Sequence, residues 1–413
     1  MAEVLIVGAG VIGLACAREA QRQGWQVTLL DRDFEGDRAS HGNAGGIAVT
    51  ESTPIAVSGF SLQAMRWLCD PLGPLAIRWR HAPRLLPWLR AFNKVTEPAH
   101  YRHISNALAA LNNRVYDDLL PMLGDIGLTG QLHRGAGITV YETDAAFAAD
   151  ADEWAYKREL GVNWSVLDMD ELRAREPALA PVFRHAVMLH DWGQMDDPKA
   201  VVDALRGKVA ERGGRLVRGD VAGLDAGNAG RPAVLLRDGQ RLEADRVVVA
   251  AGAWSGALAR GVGDRVLIES ERGYNTTLPG GVGVLSHEVI FAERKFVASP
   301  LSVGLRIGGA AEFAGLDAPA NYRRSAALLQ LARKFVPGVD ETGARQWMGN
   351  RPSTPDSLPV LGPSPRAPHV LYAFGHGHLG LTQAATTGAI IGSLLAGEAP
   401  GVDMRPYSIA RFA

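Results

Sequence analysis

The stretch EVLIVGAGVIGLACAREAQRQGWQVTLLDRD, residues 3–33, restricts the possible folds more than any other part of the chain. It reads as strand, tight turn, helix and second strand. Val4–Val7 is a continuous apolar run, as expected of a strand buried on both faces. Gly8, Gly10 and Gly13 satisfy G-x-G-x-x-G. Gly8 permits the turn, Gly10 lets the backbone approach a pyrophosphate, and Gly13 lets helix and strand pack closely. The helix start at Val11 and Ile12 offers free N–H groups and a partial positive charge. Helical spacing turns Val11, Leu14 and Ala15 towards the sheet and Arg18 and Arg22 outward, with Gly24 ending the helix. The second strand, Val27–Leu30, ends at Asp31, whose carboxylate can accept two hydrogen bonds from an adenosine ribose. An α/β dinucleotide-binding unit is expected, but these residues do not separate FAD from NAD.

Three later stretches favour FAD. In ASHGNAGGIAV, Ser40–Gly46 is small and glycine-rich, suited to running beside a flat ring. In GGRLVRGDVAGLD a strand, Arg215–Val217, precedes Asp220 and Val221, and RLEADRVVVAAGAWSG ends a buried strand in Ala250, Ala251 and Gly252. Third, GHGHLGLTQAATTGAIIG, residues 375–392, sets a glycine loop against a helix expected from Thr382 onward. A flavin that takes up hydride becomes anionic, and exposed amides at Gly375, Gly377 and Gly380 before a helix would stabilise that charge. A nicotinamide enzyme has no comparable need there. His376 and His378 suit a surface or packing role as well as a place over the ring.

At 413 residues the chain has room for two domains. A net charge of −1 with no long run of one sign argues against nucleic acid. Two cysteines, Cys16 and Cys69, cannot build a disulfide framework, and neither is placed to attach a flavin, so non-covalent FAD is expected. No metal site is expected. Leu5–Ala17 lacks a basic leader and is too short to span a bilayer, so a cytoplasmic protein is expected.

The blocks IVGAGVIG, ASHGNAG, DPLGPLAIRWRHAPRLLPWLRAF, VVVAAGAWS, ERGYNTTLP, WMGNRPSTPDSLPVLG and GHGHLGLTQAATTGAIIGSLLAG, in this order, resemble the D-amino-acid oxidase-like flavoproteins, and among them the bacterial D-amino-acid dehydrogenases. The resemblance implies a Rossmann-like FAD domain from residues 1–50, 190–262 and 345–413. It also implies an α+β substrate domain with a mixed sheet, from 51–189 and 263–344. Arg351 resembles the guanidinium that grips the substrate α-carboxylate, and Tyr274 a tyrosine beside that carboxylate; His41 could face the substrate. The cofactor contacts implied are Gly8, Gly10, Val11, Ile12, Gly13, Asp31, Arg32, Ser40, Asn43, Ala44, Gly45, Gly46, Val221, Ala251, Gly252, Trp254, Arg351, Gly375, His376, Gly377, His378, Leu379, Gly380, Leu381 and Thr382. Ser357 stands where a glycine is usual. Gly42 and Gly46 replace bulkier residues, which is expected to widen the space near the flavin. Independently of the resemblance, arginine matches a carboxylate with two prongs and stays charged, and the prolines of RPSTPDSLPVLGPSP would stiffen a loop bearing it.

The expected activity is FAD-dependent oxidation of a D-amino acid. Hydride passes from Cα to flavin N5, and the imino acid hydrolyses to an oxo acid and ammonia. D-proline or cis-4-hydroxy-D-proline oxidation to a ring imine, sarcosine- or glycine-type amine oxidation, and a flavin-bearing electron-transfer subunit remain alternatives. The expected partners are a small amino or imino acid and a quinone or other electron acceptor. Residues 66–92 combine Trp67, Trp79, Trp88 and Phe92 with Arg78, Arg80, Arg84 and Arg90. They are expected to form a helical hairpin broken at Pro83 and Pro87, which either packs on the substrate domain or rests on an anionic membrane.

Overall fold

The structure is a computed structural model describing residues 1–55, 73–227 and 231–413. Two large sheets organise it. The first has six strands in the order Arg215–Arg218, Gln26–Asp31, Glu3–Val7, Arg246–Val249, Val370–Phe374 and Val360–Pro363. All pairings are parallel except the last. Strands of Val, Leu and Ile sit between helices on one face and the three-stranded sheet Val221–Asp225, Ala233–Leu236 and Arg241–Glu243 on the other. The strand, turn, helix and strand of residues 3–31 form as expected, and Gly24 follows the helix with φ +80°.

Helix Val11–Arg22 lies against Ala384–Ala396 and Pro198–Glu211. The contact is close because Gly388 and Gly392 carry no side chain; a Cβ on Gly388 would stand 2.8 Å from the Ala15 carbonyl oxygen. Arg18 departs from its expected outward position. It is buried, with Nε 2.7 Å from Asp125. Helices Pro98–Asn112 and Val115–Asp125 cover that side of the sheet and share its core, something periodicity in residues 11–22 does not encode.

The second sheet is mixed and nine-stranded. Its main path runs Arg345–Ser353, Glu269–Leu278, Gly304–Phe313, Phe296–Leu301, Glu288–Phe291, Gly137–Tyr141, His185–Leu189 and Trp164–Leu167, with Leu75–Ile77 added beside Gly304–Phe313. One face covers a core of Phe291, Phe296, Leu305, Ile307 and Phe335 with helix Arg323–Ala332. Strand Arg345–Ser353 pairs with Glu269–Leu278 in this sheet, so the segment expected to join the dinucleotide half at 345 begins with a strand of the other half. Arg351 therefore sits on a strand rather than in a proline-stiffened loop.

The expected hairpin at 66–92 is also revised where it is described; residues 56–72, with Trp67 and Cys69, lie outside the described residues. Leu75–Ile77 is a strand, and Ala82–Lys94 is one helix that continues through Pro87. Pro83 falls in the first turn, where an N–H has no intrahelical partner to lose. Trp88 and Phe92 stack with centroids 5.1 Å apart, and Trp88 donates to the Ser353 carbonyl at 3.1 Å. That face is core. Cys16 is buried, and burial raises its thiol far above its ordinary value, so it is inert.

Candidate active site

The turn at Gly8 has φ +108°, and a Cβ there would lie 2.8 Å from the Ala250 carbonyl carbon. Residues 8–10 and 250–252 thus approach each other closely at the ends of neighbouring strands, where ligands of open α/β sheets bind. Val11 N–H donates to Ser40 Oγ at 3.0 Å. Asp31 is held as the second strand ends: it accepts from Ala9 N–H at 2.7 Å and from Arg38 at 3.3 Å. Arg32 lies 4.1 Å over the Trp254 ring, joining two of the expected contact residues. Ile12 is partly buried at the helix start, and Val221 opens the strand facing Leu236.

Segment 40–48 is fastened on three sides. Asn43 caps its own turn through Ser40 O and Gly45 N–H, both at 2.8 Å. Gln194 donates to Ala44 O at 2.9 Å, and the buried Arg306 donates to Asn43 O at 2.5 Å. Asn275, on the nine-stranded sheet, donates to Gly42 O at 2.7 Å. Thr382 accepts from Ala48 N–H at 2.9 Å and donates to Gly46 O at 3.4 Å. The N-terminal and C-terminal glycine clusters are therefore neighbours, more than 330 residues apart in sequence and joined through one hydroxyl.

In the C-terminal loop Gly375 and Gly377 have φ +86° and +52°, and a Cβ on Gly377 or Gly252 would enter open space. The helix begins at Ala384, two residues later than expected, with Leu379 and Leu381 buried beneath the loop and Gly380 between them. The Gly377 amide is not open: it donates to Pro352 O at 2.9 Å. His376 is also excluded from the surface. It is buried with Nε2 2.8 Å from Thr387 Oγ1, and burial pushes it down to about 3, so it packs as a neutral ring.

His378 is different. Its side chain is 43% exposed, and its Nε2 lies 2.7 Å from Glu271 Oε1. The same oxygen is 3.2 Å from Arg351 Nη1, which also donates to Ala310 O at 3.3 Å. Ala310 has φ +57° at an irregularity in its pairing with Glu269–Leu278, and this local distortion aims its carbonyl at the guanidinium. The guanidinium lies across Gly273, where any side chain would displace it. Burial alone would raise the Glu271 carboxyl, but His378 and Arg351 more than offset this and hold it at about 2. Glu271 is therefore a buried anion that contacts both the Arg351 guanidinium and the His378 ring, a group that sequence reasoning missed. Its only local signal was position: three residues before Tyr274 in an alternating strand, it must face the opposite way.

That alternation corrects Tyr274. Register pairs Glu271 with Arg351 and Tyr274 with Met348, so Tyr274 faces away from Arg351. Its hydroxyl donates to Glu312 and accepts from Asn321 N–H at 3.1 Å. His41 is likewise not brought to Arg351. It is buried, and burial first, then Arg38 and Lys199, lower its pKa; those charges lie on the dinucleotide side. The wider space expected at Gly42 and Gly46 is filled as well. A Cβ on Gly42 would overlap the Trp347 indole, and one on Gly46 would stand 2.7 Å from Glu288. Trp347 also folds over Gly349, so the indole is clasped between two glycines.

The fit for FAD rests on these cradles. The close turns at Gly8 and Gly252 lead to segment 40–48, which Thr382 connects to the open space at Gly377. A family profile described as FAD dependent oxidoreductase matches residues 3–394. A D-amino-acid oxidase of Bradyrhizobium diazoefficiens is 34% identical, covering 99% of this chain and 98% of its own. A D-amino acid dehydrogenase of Methylobacterium nodulans is 32% identical, covering 99% of each chain. Among solved structures, glycine oxidase from Geobacillus kaustophilus superposes with a TM-score of 0.76 at 22% identity over the full length of both chains. The chain belongs to the DAO family of FAD-dependent oxidoreductases.

Proposed function

We propose that the protein oxidises a D-amino acid, with Arg351 holding the substrate α-carboxylate. The observation that carries this reading is the Arg351 guanidinium laid across Gly273, on a strand whose ladder fixes it and beside the loop that reaches the FAD cradle. Nη1 is occupied by Glu271 and Ala310, which leaves the rest of the planar fork for a two-pronged carboxylate contact. The full-length likeness to a D-amino-acid oxidase and D-amino acid dehydrogenases supports the substrate class. FAD, when bound, supplies the acceptor for the substrate's hydride. Arg351 orients the substrate so that its Cα hydrogen is presented in one direction, and the imino acid released hydrolyses to a 2-oxo acid and ammonia. Trp347, clasped against Gly42, narrows the space beside this site and favours compact side chains or a five-membered ring.

Anaerobic bleaching of the bound flavin by a panel of D-amino acids, D-proline, hydroxyprolines and sarcosine tests the reading. Repeating turnover with a dye and with oxygen identifies the acceptor class. Arg351→Met keeps its flavin but raises the Michaelis constant about 100-fold or more, the loss of two charge-assisted hydrogen bonds. An unchanged constant removes Arg351 from the site.

The same dehydrogenase reading extends to a membrane acceptor. Trp79 is 77% and Leu86 48% exposed, and Arg80, Arg84 and Arg90 are exposed around them. We propose that this basic, aromatic face rests on an anionic membrane, where electrons pass to a quinone. No helix among the described residues is long and apolar enough to cross a membrane. Liposome co-sedimentation of the wild type against R80E/R84E/R90E decides, and absence of wild-type binding retires the proposal.

A further inference from the structure

Resting on the amino-acid reading above, we propose that His378 takes the proton lost by the substrate ammonium, and that Glu271 is the residue that positions it to do so. An ammonium nitrogen has no lone pair, so it cannot form the C=N bond as hydride departs. It must lose a proton first. In the step proposed, neutral His378 and the substrate ammonium become His378-H⁺ and a neutral amine. The amine lone pair then forms the C=N bond as the Cα–H electron pair passes to the bound oxidised FAD. The substrate is oxidised by two electrons and the flavin is reduced by two. His378 returns its proton to solvent.

Three observations carry the assignment. First, Glu271 Oε1 contacts both His378 Nε2, at 2.7 Å, and Arg351 Nη1, at 3.2 Å, so the imidazole and the proposed carboxylate grip share one oxygen atom. An α-amino acid with its carboxylate on Arg351 has its amino nitrogen two bonds from the carboxylate carbon, within the short span that separates the guanidinium from a ring held on the same oxygen. Second, Glu271 is buried and ionised. A carboxylate at Nε2 must accept, so Nε2 carries the hydrogen and the lone pair of the neutral ring lies on Nδ1. This is the arrangement by which a carboxylate fixes the tautomer and direction of a histidine base. Third, His378 is 43% exposed, whereas His376 in the same loop is sealed in the core. Only His378 can meet a substrate and then exchange with water.

Among the described residues, the charged and titratable groups that face His378 come from two strands and its own loop. Glu271 and Glu269 lie on one strand, Glu269 with its partner His81 at 2.9 Å; Arg351 lies on the next strand, and His376 on the same loop. Glu271 touches the ring directly. Replacing it should therefore move the ring's titration in a defined direction, while a residue that only anchors the loop would not.

The experiment uses the flavin-loaded enzyme, with kcat/KM for the best D-amino acid measured from pH 5 to pH 10. Benzoate, a carboxylate without an amine, is titrated in parallel by calorimetry. His378→Asn should lower kcat/KM about 100-fold at neutral pH, the usual scale of proton-transfer assistance, and remove the acidic limb of the profile. Benzoate affinity should stay within about threefold. Glu271→Gln should retain the limb but move it to lower pH, because loss of the anion disfavours the protonated ring. A His378→Asn profile that superposes on the wild type overturns the proposal. So does a Glu271→Gln limb that stays in place or moves to higher pH. If His378→Asn proves unstable, the direction of the Glu271→Gln shift decides alone. Wild-type turnover with an unchanged variant profile refutes only the proton-acceptor role. Failure of every amino acid to reduce the wild-type flavin refutes the underlying substrate reading.

Discussion

Gly273→Ala gives the most direct test of how the substrate sheet holds its arginine. Gly273 pairs with Gly349 on one side and lies at the pairing irregularity with Gly304–Phe313 on the other, but its φ is outside the left-handed region, so alanine is compatible with the backbone. A methyl group there would stand 2.6 Å from Arg351 Nη1, and closer still to Cζ and Nη2. Ordinary van der Waals contact begins near 3.4 Å, so the guanidinium must retreat by about 1 Å. A displacement of that size costs about 100-fold in a well-oriented reaction, and loss of the Nη1 bond to Glu271 adds to it. We therefore expect kcat/KM for the best D-amino acid to fall about 100-fold, mostly through KM, with flavin content and melting temperature close to wild type. The assay is steady-state turnover with a dye acceptor, alongside the flavin-to-protein absorbance ratio. An unchanged kcat/KM in a fully flavinated variant would mean that Arg351 does not hold the substrate, whatever its likeness to the family's arginine.

Other outcomes follow from the same geometry. Gly8→Ala should elute from gel filtration without its yellow colour, because φ +108° and the nearby Ala250 carbonyl both oppose a side chain; full flavin occupancy would refute the cradle. Burial pushes the Glu288 carboxyl up to about 8 against an ordinary 4.5. The folded state thus keeps a proton that the unfolded chain loses, and stability should fall as pH rises from 4.5 to 8. Glu288→Gln should flatten that decline and melt higher than wild type at pH 8; parallel melting curves would refute it. His376 works in the opposite sense, held neutral in the fold, so its contribution is present above pH 6.5 and is lost as pH falls towards 3. Ser357 has φ +62° but accepts from Ile55 N–H at 3.1 Å. Ser357→Gly should match or exceed wild-type stability, whereas Ser357→Ala, which keeps the strain and loses the bond, should cost about 1 kcal/mol in a denaturant titration.

The sequence by itself determined the parts of this protein that depend on near neighbours. Glycines spaced over six residues, an apolar run before them and an acid after the next run define the turn, helix and strands of residues 3–31, because each needs only local backbone geometry. The likeness of successive blocks then gave the family and singled out Arg351 as the candidate carboxylate grip. Tertiary structure decided what faces what. Arg18 looked exposed until helices from residues 98–125 covered it. Tyr274 and Glu271 lie three residues apart, and only the register with Met348 and Arg351 shows which of them shares a face with the arginine. Gly42 looked like empty space until Trp347, 305 positions away, occupied it. Cross-strand register, and the packing of one sheet's face on another segment's backbone, join residues hundreds of positions apart. Their partners leave no periodic trace in either stretch of chain, so the Glu271–His378–Arg351 cluster exists only in the folded molecule.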